Sequence, residues 1–206
     1  TPIRSSAASD VYKRQIFSVL RAVSHLGAKA KVISKQEDLK SIDKIILPGQ
    51  GSMGACIENL KKKNLFESLK LSLSEKPYLG ICLGLQVLFA LSEESSNSEG
   101  MNIFSGKVER FKENKNFKIP HMGWNQVIFK KKHFVNKNIP NSSNFYFVHS
   151  YASKELKKDN ILAETTHGEL FNSAVIQDNI IGVQFHPEKS GAQGLKFLEN
   201  FINWKI

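Results

Sequence analysis

The stretch Pro77-Tyr78-Leu79-Gly80-Ile81-Cys82-Leu83-Gly84 decides the fold of this chain. A short apolar run ends there in Gly-x-Cys-x-Gly, and a helical pattern that includes Leu88 and Leu91 follows at once. Together they predict a buried strand, a sharp turn and a helix, with a thiol at the turn. The small residues around Cys82 allow a strained backbone, which would hold its side chain up at the edge of a sheet.

Strands and helices alternate in the first half of the chain. From Ile16 onward, apolar residues recur on one helical face as far as Gly27, which suits a C-terminal cap. Short strands are predicted at 31–33 and 44–47, and the helical spacing over 56–73 is interrupted by a run of lysines. This alternation predicts an α/β fold in which helices cover both faces of a mostly parallel sheet.

The second half of the chain has a different sequence pattern. After an acidic, serine-rich loop at 93–100, short aromatic or alternating runs are separated by turn residues, which predicts added antiparallel strands. These runs lie at 106–111, 124–129, 145–151, 161–165 and 173–176. A final strand at 180–185 and a helix that includes 195–202 close the chain.

Composition bounds the size and the partners. The chain has 206 residues, of which 41% are hydrophobic, enough for one domain with a layered core. The formal net charge is +10, but the lysines are scattered, and the clusters at 61–63 and 130–132 lack interleaved aromatic residues. Solvated surface lysines are therefore favoured over a nucleic-acid site. A basic face that attracts a phosphorylated metabolite or an acidic protein is a further alternative.

The sequence also bears on location. No apolar run approaches the roughly 20 residues of a membrane span, and the N-terminal segment lacks the order of a secretory signal. There are two cysteines, Cys56 and Cys82. Two thiols without such a signal indicate a reducing compartment, so we expect a cytoplasmic protein without a membrane segment.

Cys82 is the first candidate for chemistry. A buried structural cysteine is the commonest alternative for this residue type, and Cys56, which has no special context, is assigned to that class. Cys82 precedes a predicted helix N-terminus, whose partial positive charge favours the thiolate. Glycines flank it, where a core cysteine would more often have bulky neighbours. This setting predicts a nucleophile.

An imidazole and a carboxylate follow the last predicted strand, in Gly-Val-Gln-Phe-His-Pro-Glu (182–188). Pro187 restricts the geometry between His186 and Glu188. A general base must reach the thiol, and a carboxylate that orients the ring keeps the useful tautomer. An isolated histidine is usually surface or core filler, so the prediction of a Cys82–His186–Glu188 triad depends on the cysteine turn.

The turn Pro-Gly-Gln-Gly (48–51) follows another predicted strand. An ordinary tight turn is the alternative interpretation. In the functional interpretation, a backbone N–H near Gly51 donates to a developing oxyanion, and the Leu83 N–H, next to the nucleophile, is the second donor.

Three of these motifs resemble one family. Gly-Ile-Cys-Leu-Gly-Leu-Gln (80–86), the turn at 48–51 and His-Pro-Glu (186–188) resemble the class I, triad-type glutamine amidotransferases. The resemblance implies a flavodoxin-like fold and hydrolysis of glutamine through a γ-glutamyl thioester on Cys82, with ammonia passed to a synthase. We expect neither a metal nor a cofactor. The glutamine-binding residues that it implies are Gly49, Gln50, Gln86, Glu94, His149, Ser150 and Tyr151.

Further strings narrow the resemblance. Pro-His-Met-Gly-Trp-Asn (120–125), Tyr-Phe-Val-His-Ser-Tyr (146–151) and His-Pro-Glu-Lys-Ser (186–190) resemble the glutaminase subunits of imidazole glycerol phosphate synthases. The resemblance implies a heterodimer with a (β/α)₈-barrel cyclase, which uses the ammonia to make imidazole glycerol phosphate and AICAR in histidine biosynthesis. The residues implied to lie toward the cyclase are Pro120, His121, Met122, Trp124 and Lys189. The sequence alone favours core positions for Met122 and Trp124, and Lys189 could be solvated.

The chain departs from the family at its beginning. The family opens with an apolar strand and an Asp-Tyr-Gly-x-Gly-Asn turn, which is absent here, and Gln15 stands where the Asn would be. We therefore expect residues 1–15 to be a non-family segment that is not native, and residues 16–206 to form the amidotransferase domain. The residues at 95–99 are expected to be a surface-loop insertion.

Three other functions stay open. A glutaminase subunit of anthranilate or aminodeoxychorismate synthesis is the nearest, and the string at 120–125 argues against it. A non-catalytic binding module is opposed by the intact triad but kept open by the departure at the N-terminus. Nucleic-acid binding is the least favoured, because the basic residues form no patch with stacking aromatic residues.

Overall fold

The computed structural model describes residues 15–95, 99–113, 115, 117–154 and 156–206. The segment 1–14, which was expected to be non-native, lies outside these residues, as does the part of the predicted loop insertion at 96–98. Within the described ranges, no helix is long and apolar enough to cross a membrane.

The described elements alternate early and become strand-rich later. The strands are β1 (Ile45–Gly49), β2 (Tyr78–Cys82), β3 (Phe89–Ser92), β4 (Phe104–Arg110), β5 (His121–Phe129), β6 (Ser143–His149), β7 (Tyr151–Lys154), β8 (Ile161–His167), β9 (Glu169–Gln177) and β10 (Ile180–Val183). The helices are α1, described over 15–25, α2 (Met53–Lys62), α3 (Phe66–Ser72), α4 (Leu83–Gln86) and α5 (Gly191–Asn203). The predicted order of elements is thus largely confirmed.

One mixed sheet contains all ten described strands. Its parallel part runs β1–β2–β10, and β9, β7, β4 and β3 continue the path. β8, β5 and β6 branch from β9. Six of the nine described strand pairs are antiparallel, so the α/β class is confirmed while the antiparallel share is larger than expected.

Two apolar clusters cover the opposite faces of β2. Leu79 and Ile81 pack in one cluster with residues of α1 and α5, and Tyr78 packs in the other with residues of α2 and α3. Each fully buried side chain contributes roughly 1.5–3 kcal/mol of burial free energy. Burial on both faces explains why the β2 sequence is continuously apolar rather than alternating.

Two helix ends lie at residues that favour a left-handed backbone. Gly27 adopts a φ of 77°, and its N–H donates to the Ser24 carbonyl at 2.9 Å, which caps α1 as expected. The spacing over 56–73 belongs to two helices, α2 and α3, which are separated near Asn64 at a φ of 54°. A left-handed residue between them allows the chain to turn.

The predicted strand at 31–33 is wrong. These residues lie outside helix and strand, and Val32 is 55% exposed. A strand needs a hydrogen-bonded neighbour, and among the described strands β1 pairs with β2 alone.

The predicted long helix after Cys82 is also wrong. α4 ends at Gln86, and β3 follows as a strand that pairs in parallel with β4. Leu91, which the helical pattern had placed on a buried face, is 57% exposed. Phe89 is buried against Phe104, with ring centroids 5.8 Å apart, so cross-strand packing outweighs the local helical spacing.

Candidate active site

Cys82 occupies a strained turn between β2 and α4. Its φ is 54° and its ψ is −102°, an uncommon conformation for a residue with a side chain, and one that is found at functional sites. The flanking glycines are sterically required. A Cβ on Gly80 would lie 2.2 Å from the Gly84 carbonyl oxygen, and a Cβ on Gly84 would lie 1.8 Å from the Leu47 carbonyl oxygen. The predicted sharp turn is therefore confirmed.

The turn at 48–51 lies beside this cysteine. Gly49 is the parallel partner of Cys82 in the β1–β2 register, and Gly51 adopts a φ of 95°. A Cβ on Gly49 would come within 2.8 Å of the Leu83 Cβ, so the turn packs against the start of α4. The N–H of Leu83 has no acceptor within its helix, because it belongs to the first turn. Two sources of backbone donors thus adjoin the thiol.

His186 and Glu188 form a buried pair. The His186 Nδ1 lies 2.8 Å from the Glu188 Oε1, and both side chains are fully buried. The backbone N–H of His186 donates to the Tyr146 carbonyl at 2.8 Å, which ties this turn to β6. Glu188 therefore holds the ring by Nδ1, as the triad prediction requires.

The surroundings of the His186 ring favour its protonated form. Burial opposes the charged form, but the nearby Cys82 sulfur and the Glu188 carboxylate outweigh this cost and raise the pKa of His186 to about 9. The Nε2 atom is buried and has no hydrogen-bond partner of standard geometry among the described groups. It is the ring nitrogen left to exchange a proton with Cys82 and a substrate.

The Cys82→Ala variant is expected to lower the pKa of His186 from about 9. The burial penalty remains, while the largest stabilising contact, that with the sulfur, is lost. An NMR titration of the His186 ring in the wild type and the variant measures this. A Cys56→Ala variant is the matched control, and an unchanged His186 pKa in Cys82→Ala would contradict the contact.

The same shift has a stability consequence. The pKa of His186 is raised from 6.5 to about 9 in the folded state. The stabilisation that protonated His186 gives the folded state is therefore fully present below pH 6.5 and is lost as the pH rises through 9. Denaturant unfolding should therefore show a decline in wild-type stability over this window, and a smaller decline in Cys82→Ala.

Two residues that the sequence did not assign to the site contact His186. The buried Ser190 hydroxyl donates to the His186 carbonyl at 2.6 Å and accepts from the Tyr146 N–H at 3.0 Å. The buried Gln15 amide nitrogen lies 3.2 Å from the His186 Nδ1. Ser190 lies in a quoted motif and Gln15 was noted as a departure, but neither had a spacing that indicated its contact.

Two buried glutamines form a line of contacts that ends at Cys82. The Gln86 Nε2 donates to the Tyr151 carbonyl at 3.4 Å and lies 3.4 Å from the Gln184 Oε1. The Gln184 Nε2 in turn lies 3.5 Å from the Cys82 Sγ. Gln184 was missed by sequence reasoning. Its only sequence signal is an amide within the apolar run 180–185.

The Glu94 side chain lies beside the N-terminus of α2. Its carboxylate accepts from the Met53 N–H at 3.0 Å, and burial raises its pKa. The Ser52 hydroxyl accepts from the Ala55 N–H at 3.2 Å. These caps fix the helix that follows the turn at 48–51, in which Gln50 is half-buried. Glu94 thus supports the turn beside Cys82.

His149 and His121 are buried neutral rings. The His149 Nδ1 donates to the Tyr151 carbonyl at 2.8 Å, and its Nε2 lies 3.0 Å from the His121 Nδ1. Burial is the main cause that lowers the pKa of each to about 3. His121, implied by resemblance to face a partner, is buried because it stacks on Phe147 and His167. Ser150 and Tyr151 are half-buried where β6 passes to β7.

Met122 and Trp124 lie on the exposed face of β5, at 63% and 57% exposure, so the core positions favoured by the sequence alone are wrong. Trp124 is paired with Tyr146 across β5 and β6, with ring centroids 6.1 Å apart, and the Lys189 Nζ lies 5.9 Å from the Tyr146 ring centroid. We call these four residues the Trp124 patch. Pro120, just before it, is also exposed. The patch adjoins His186, because the Tyr146 carbonyl accepts from the His186 N–H.

Known proteins resemble the chain closely. The family "Glutamine amidotransferase class-I" matches residues 7–204, which includes part of the segment expected to lie outside it. The chain is 42% identical to the "Imidazole glycerol phosphate synthase subunit HisH" of Hydrogenovibrio crunogenus, over 91% of this chain and 90% of that protein. It is also 42% identical to the HisH subunit of Nitrosospira multiformis, over 91% and 92%.

A solved structure described as a glutamine amidotransferase shares the fold, with a TM-score of 0.69 at 20% identity over 89% of this chain and 92% of that one. The alternation of elements, the strained cysteine turn and these sequence relatives agree. The chain belongs to the class-I glutamine amidotransferases, within the family of HisH subunits of imidazole glycerol phosphate synthase.

Proposed function

We propose that this chain is the glutaminase subunit of imidazole glycerol phosphate synthase. It hydrolyses glutamine to glutamate and ammonia, and a (β/α)₈-barrel cyclase uses the ammonia to make imidazole glycerol phosphate and AICAR in histidine biosynthesis. The observation that carries the proposal is the strained Cys82 turn beside the buried His186–Glu188 pair. The names of the relatives point to the same synthase.

The first chemical step is acyl transfer to sulfur. His186 takes the proton of the Cys82 thiol, the resulting thiolate attacks the side-chain amide carbon of glutamine, and a tetrahedral oxyanion forms. The Leu83 N–H and a backbone N–H near Gly51 donate to this oxyanion. The C–N bond then breaks as the His186 imidazolium transfers its proton to the leaving nitrogen, which departs as ammonia.

The second step regenerates the thiolate. His186, now neutral, takes a proton from water while the water oxygen attacks the thioester carbon. The C–S bond breaks, glutamate leaves, and the thiolate–imidazolium pair is restored. Glu188 keeps the ring oriented through both proton transfers, because its carboxylate lies 2.8 Å from Nδ1.

The proposed glutamine site surrounds the Cys82 turn. Gly49 and Gln50 form the turn beside Cys82, and Gln86 lies on α4 behind it. The remaining members of the proposed set are Glu94, His149, Ser150 and Tyr151. In this structure, Glu94 and His149 act through their neighbours, Met53 and Tyr151, so we assign them the role of positioning the site.

The Trp124 patch is the proposed cyclase contact. Exposed aromatic and methionine side chains are the residue types enriched at the centres of protein interfaces. The patch lies next to His186, where ammonia would be released. Pro120 extends this surface, and His121 supports it from beneath.

The proposal also covers the cellular compartment of the protein and the coupling of its activity to the cyclase. Both cysteines are free thiols, which fits the reducing cytoplasm.

The glycine-flanked turn at 48–51 can present either peptide orientation to the oxyanion. Ligand on the cyclase would then favour the orientation that donates an N–H. Since one oxyanion donor contributes on the order of 10²–10³ in rate, stimulation of this size is expected.

Glutamate release from glutamine tests the proposal. The purified chain alone should be slow, and a barrel cyclase with its nucleotide ligand should stimulate it by about 10²–10³-fold. Equal rates with and without the liganded cyclase would eliminate the coupling. The absence of glutamate under every condition would eliminate the glutaminase.

The Trp124→Ala variant tests the contact surface in the same assay. We expect cyclase binding to weaken by about 2 kcal/mol, as for a buried aromatic anchor, with little change in the activity of the free chain. Leu71→Ala is the control, because Leu71 is 73% exposed on α3, outside the patch. Equal cyclase affinities of Trp124→Ala and Leu71→Ala would contradict the assignment.

A further inference from the structure

A line of three hydrogen-bonding groups ends at the nucleophile. It starts at the Tyr151 backbone carbonyl, passes through the amides of Gln86 and Gln184, and reaches the Cys82 sulfur. All three glutamine-to-partner distances are 3.4 to 3.5 Å. The two glutamines are buried, and Gln184 is fully so.

The carbonyl at the start of this line sets the direction of every bond in it. A backbone carbonyl can only accept, so the Gln86 group that faces Tyr151 must be the amide N–H. The same Gln86 Nε2 meets the Gln184 side chain, so the Gln184 atom there must be the acceptor Oε1. The other end of the Gln184 amide, which faces the sulfur, is therefore a donor.

We propose that Gln184 is a further catalytic residue, whose Nε2–H donates a hydrogen bond to the Cys82 sulfur and stabilises the thiolate. The inference rests on the proposed function, in which Cys82 is the nucleophile. Gln184 supplies this donor without a charge of its own. It thereby complements the His186 imidazolium, which lies two residues further along the same segment after β10.

The surroundings make this donor rigid. The Gln184 backbone N–H donates to the Ser173 carbonyl at 2.9 Å, which fixes the main chain beside β9. Its side-chain oxygen is held by Gln86 at the other end. A pre-aimed donor in a buried site needs no reorganisation when the sulfur becomes charged.

The bond acts on the steps in which sulfur is anionic. A hydrogen bond to a charged acceptor is roughly twice as strong as one to a neutral acceptor. The Gln184 donor therefore favours the resting thiolate over the thiol. It also favours departure of the thiolate when the thioester is hydrolysed.

Alkylation of Cys82 by iodoacetamide across a range of pH tests the proposal, because the thiolate is the reactive form. The Gln184→Met variant removes the donor but keeps a similar side-chain volume. In this variant, the pH midpoint of Cys82 alkylation should rise by about one unit. The alkylation rate below that midpoint should fall about threefold, because the tenfold loss of thiolate is partly offset by the greater nucleophilicity of a more basic thiolate. Cys56 is an internal control in the same sample, since burial raises its pKa to about 11.

Two further variants complete the design. Gln184→Asn keeps an amide that is too short to reach the sulfur, so it should raise the midpoint in the same direction. Gln36→Met replaces an exposed glutamine far along the chain and should leave the midpoint unchanged. Far-UV circular dichroism and denaturant unfolding identify which variants are folded. A wild-type midpoint in either folded Gln184 variant would overturn the proposal.

The readout separates this inference from the proposed function. Alkylation needs no glutamine turnover, so a Gln184 variant with an unchanged midpoint refutes the donor even if the wild type is a glutaminase. Conversely, a chain that releases no glutamate can still show the shifted midpoint, and then it is the glutaminase proposal that fails.

Discussion

The Cys82→Ala variant is expected to lose glutamate release from glutamine by a factor on the order of 10⁴–10⁶, the range seen when a nucleophile is removed from a catalytic triad. Without the sulfur, no thioester forms, and neither the His186–Glu188 pair nor the backbone donors can replace it. The loss should appear in kcat, because the thiol is not needed to hold the substrate. Release of glutamate is measured with the liganded cyclase present.

Two comparisons make this result specific. Cys56→Ala should keep its rate within about twofold, since Cys56 lies on α2, whereas the candidate triad lies at the end of β2 and after β10. The complex of Cys82→Ala with the cyclase should still make imidazole glycerol phosphate from free ammonia. Glutamate release by Cys82→Ala at the wild-type rate would show that the nucleophile has been misassigned.

Gly84→Ala is expected to have the largest effect on stability, with a loss of at least about 3 kcal/mol. The added Cβ would lie 1.8 Å from the Leu47 carbonyl oxygen and 2.9 Å from its carbon. Backbone atoms cannot rotate away as a side chain can, so β1 and α4 must separate. This movement displaces the turn at 48–51, and the residual glutaminase activity should fall with the stability.

Urea unfolding monitored by circular dichroism measures the change in the free energy of unfolding. Gly27→Ala is the matched control, because Gly27 has a φ of 77° and no atom within 4 Å of an added Cβ. Its cost is the left-handed backbone alone, about 1–2 kcal/mol. If Gly84→Ala unfolded at the wild-type urea concentration, the close approach of α4 to β1 would be wrong.

The candidate triad could be predicted because its signals are local. An apolar run, flanking glycines and a following helix define the Cys82 turn within eight residues, and the His-Pro-Glu string places a base and its orienting carboxylate together. These features depend on backbone sterics and on strand and helix periods, which act between near neighbours. The resemblance supplied the substrate, the partner and the glutamine-binding set.

The remaining contacts could not be read from the sequence because they join distant positions. The Gln184 amide meets the Cys82 sulfur across 102 positions, and the Gln15 amide meets the His186 ring across 171. A buried glutamine at the end of an apolar run has no periodic signature that indicates its partner. Such a partner is chosen by sheet order and side-chain packing.

The same reason explains the errors in the elements. Phe89 and Leu91 fit a helix by spacing, but the pairing of β3 with β4 forms a strand there. Val32 fits a strand by composition, but no described strand pairs with its segment. Strand formation is decided by an available neighbour, which lies elsewhere in the chain.

By itself, the amino-acid sequence determined the alternating α/β organisation, the cysteine turn and the candidate acid–base pair, because each is encoded by residue types at short spacing. Only the tertiary structure decided that Met122 and Trp124 are exposed, that His121 is buried and that an amide donor faces the nucleophile. Exposure and hydrogen-bond direction are properties of the packed sheet, in which every group must find its partner among residues far away in the chain.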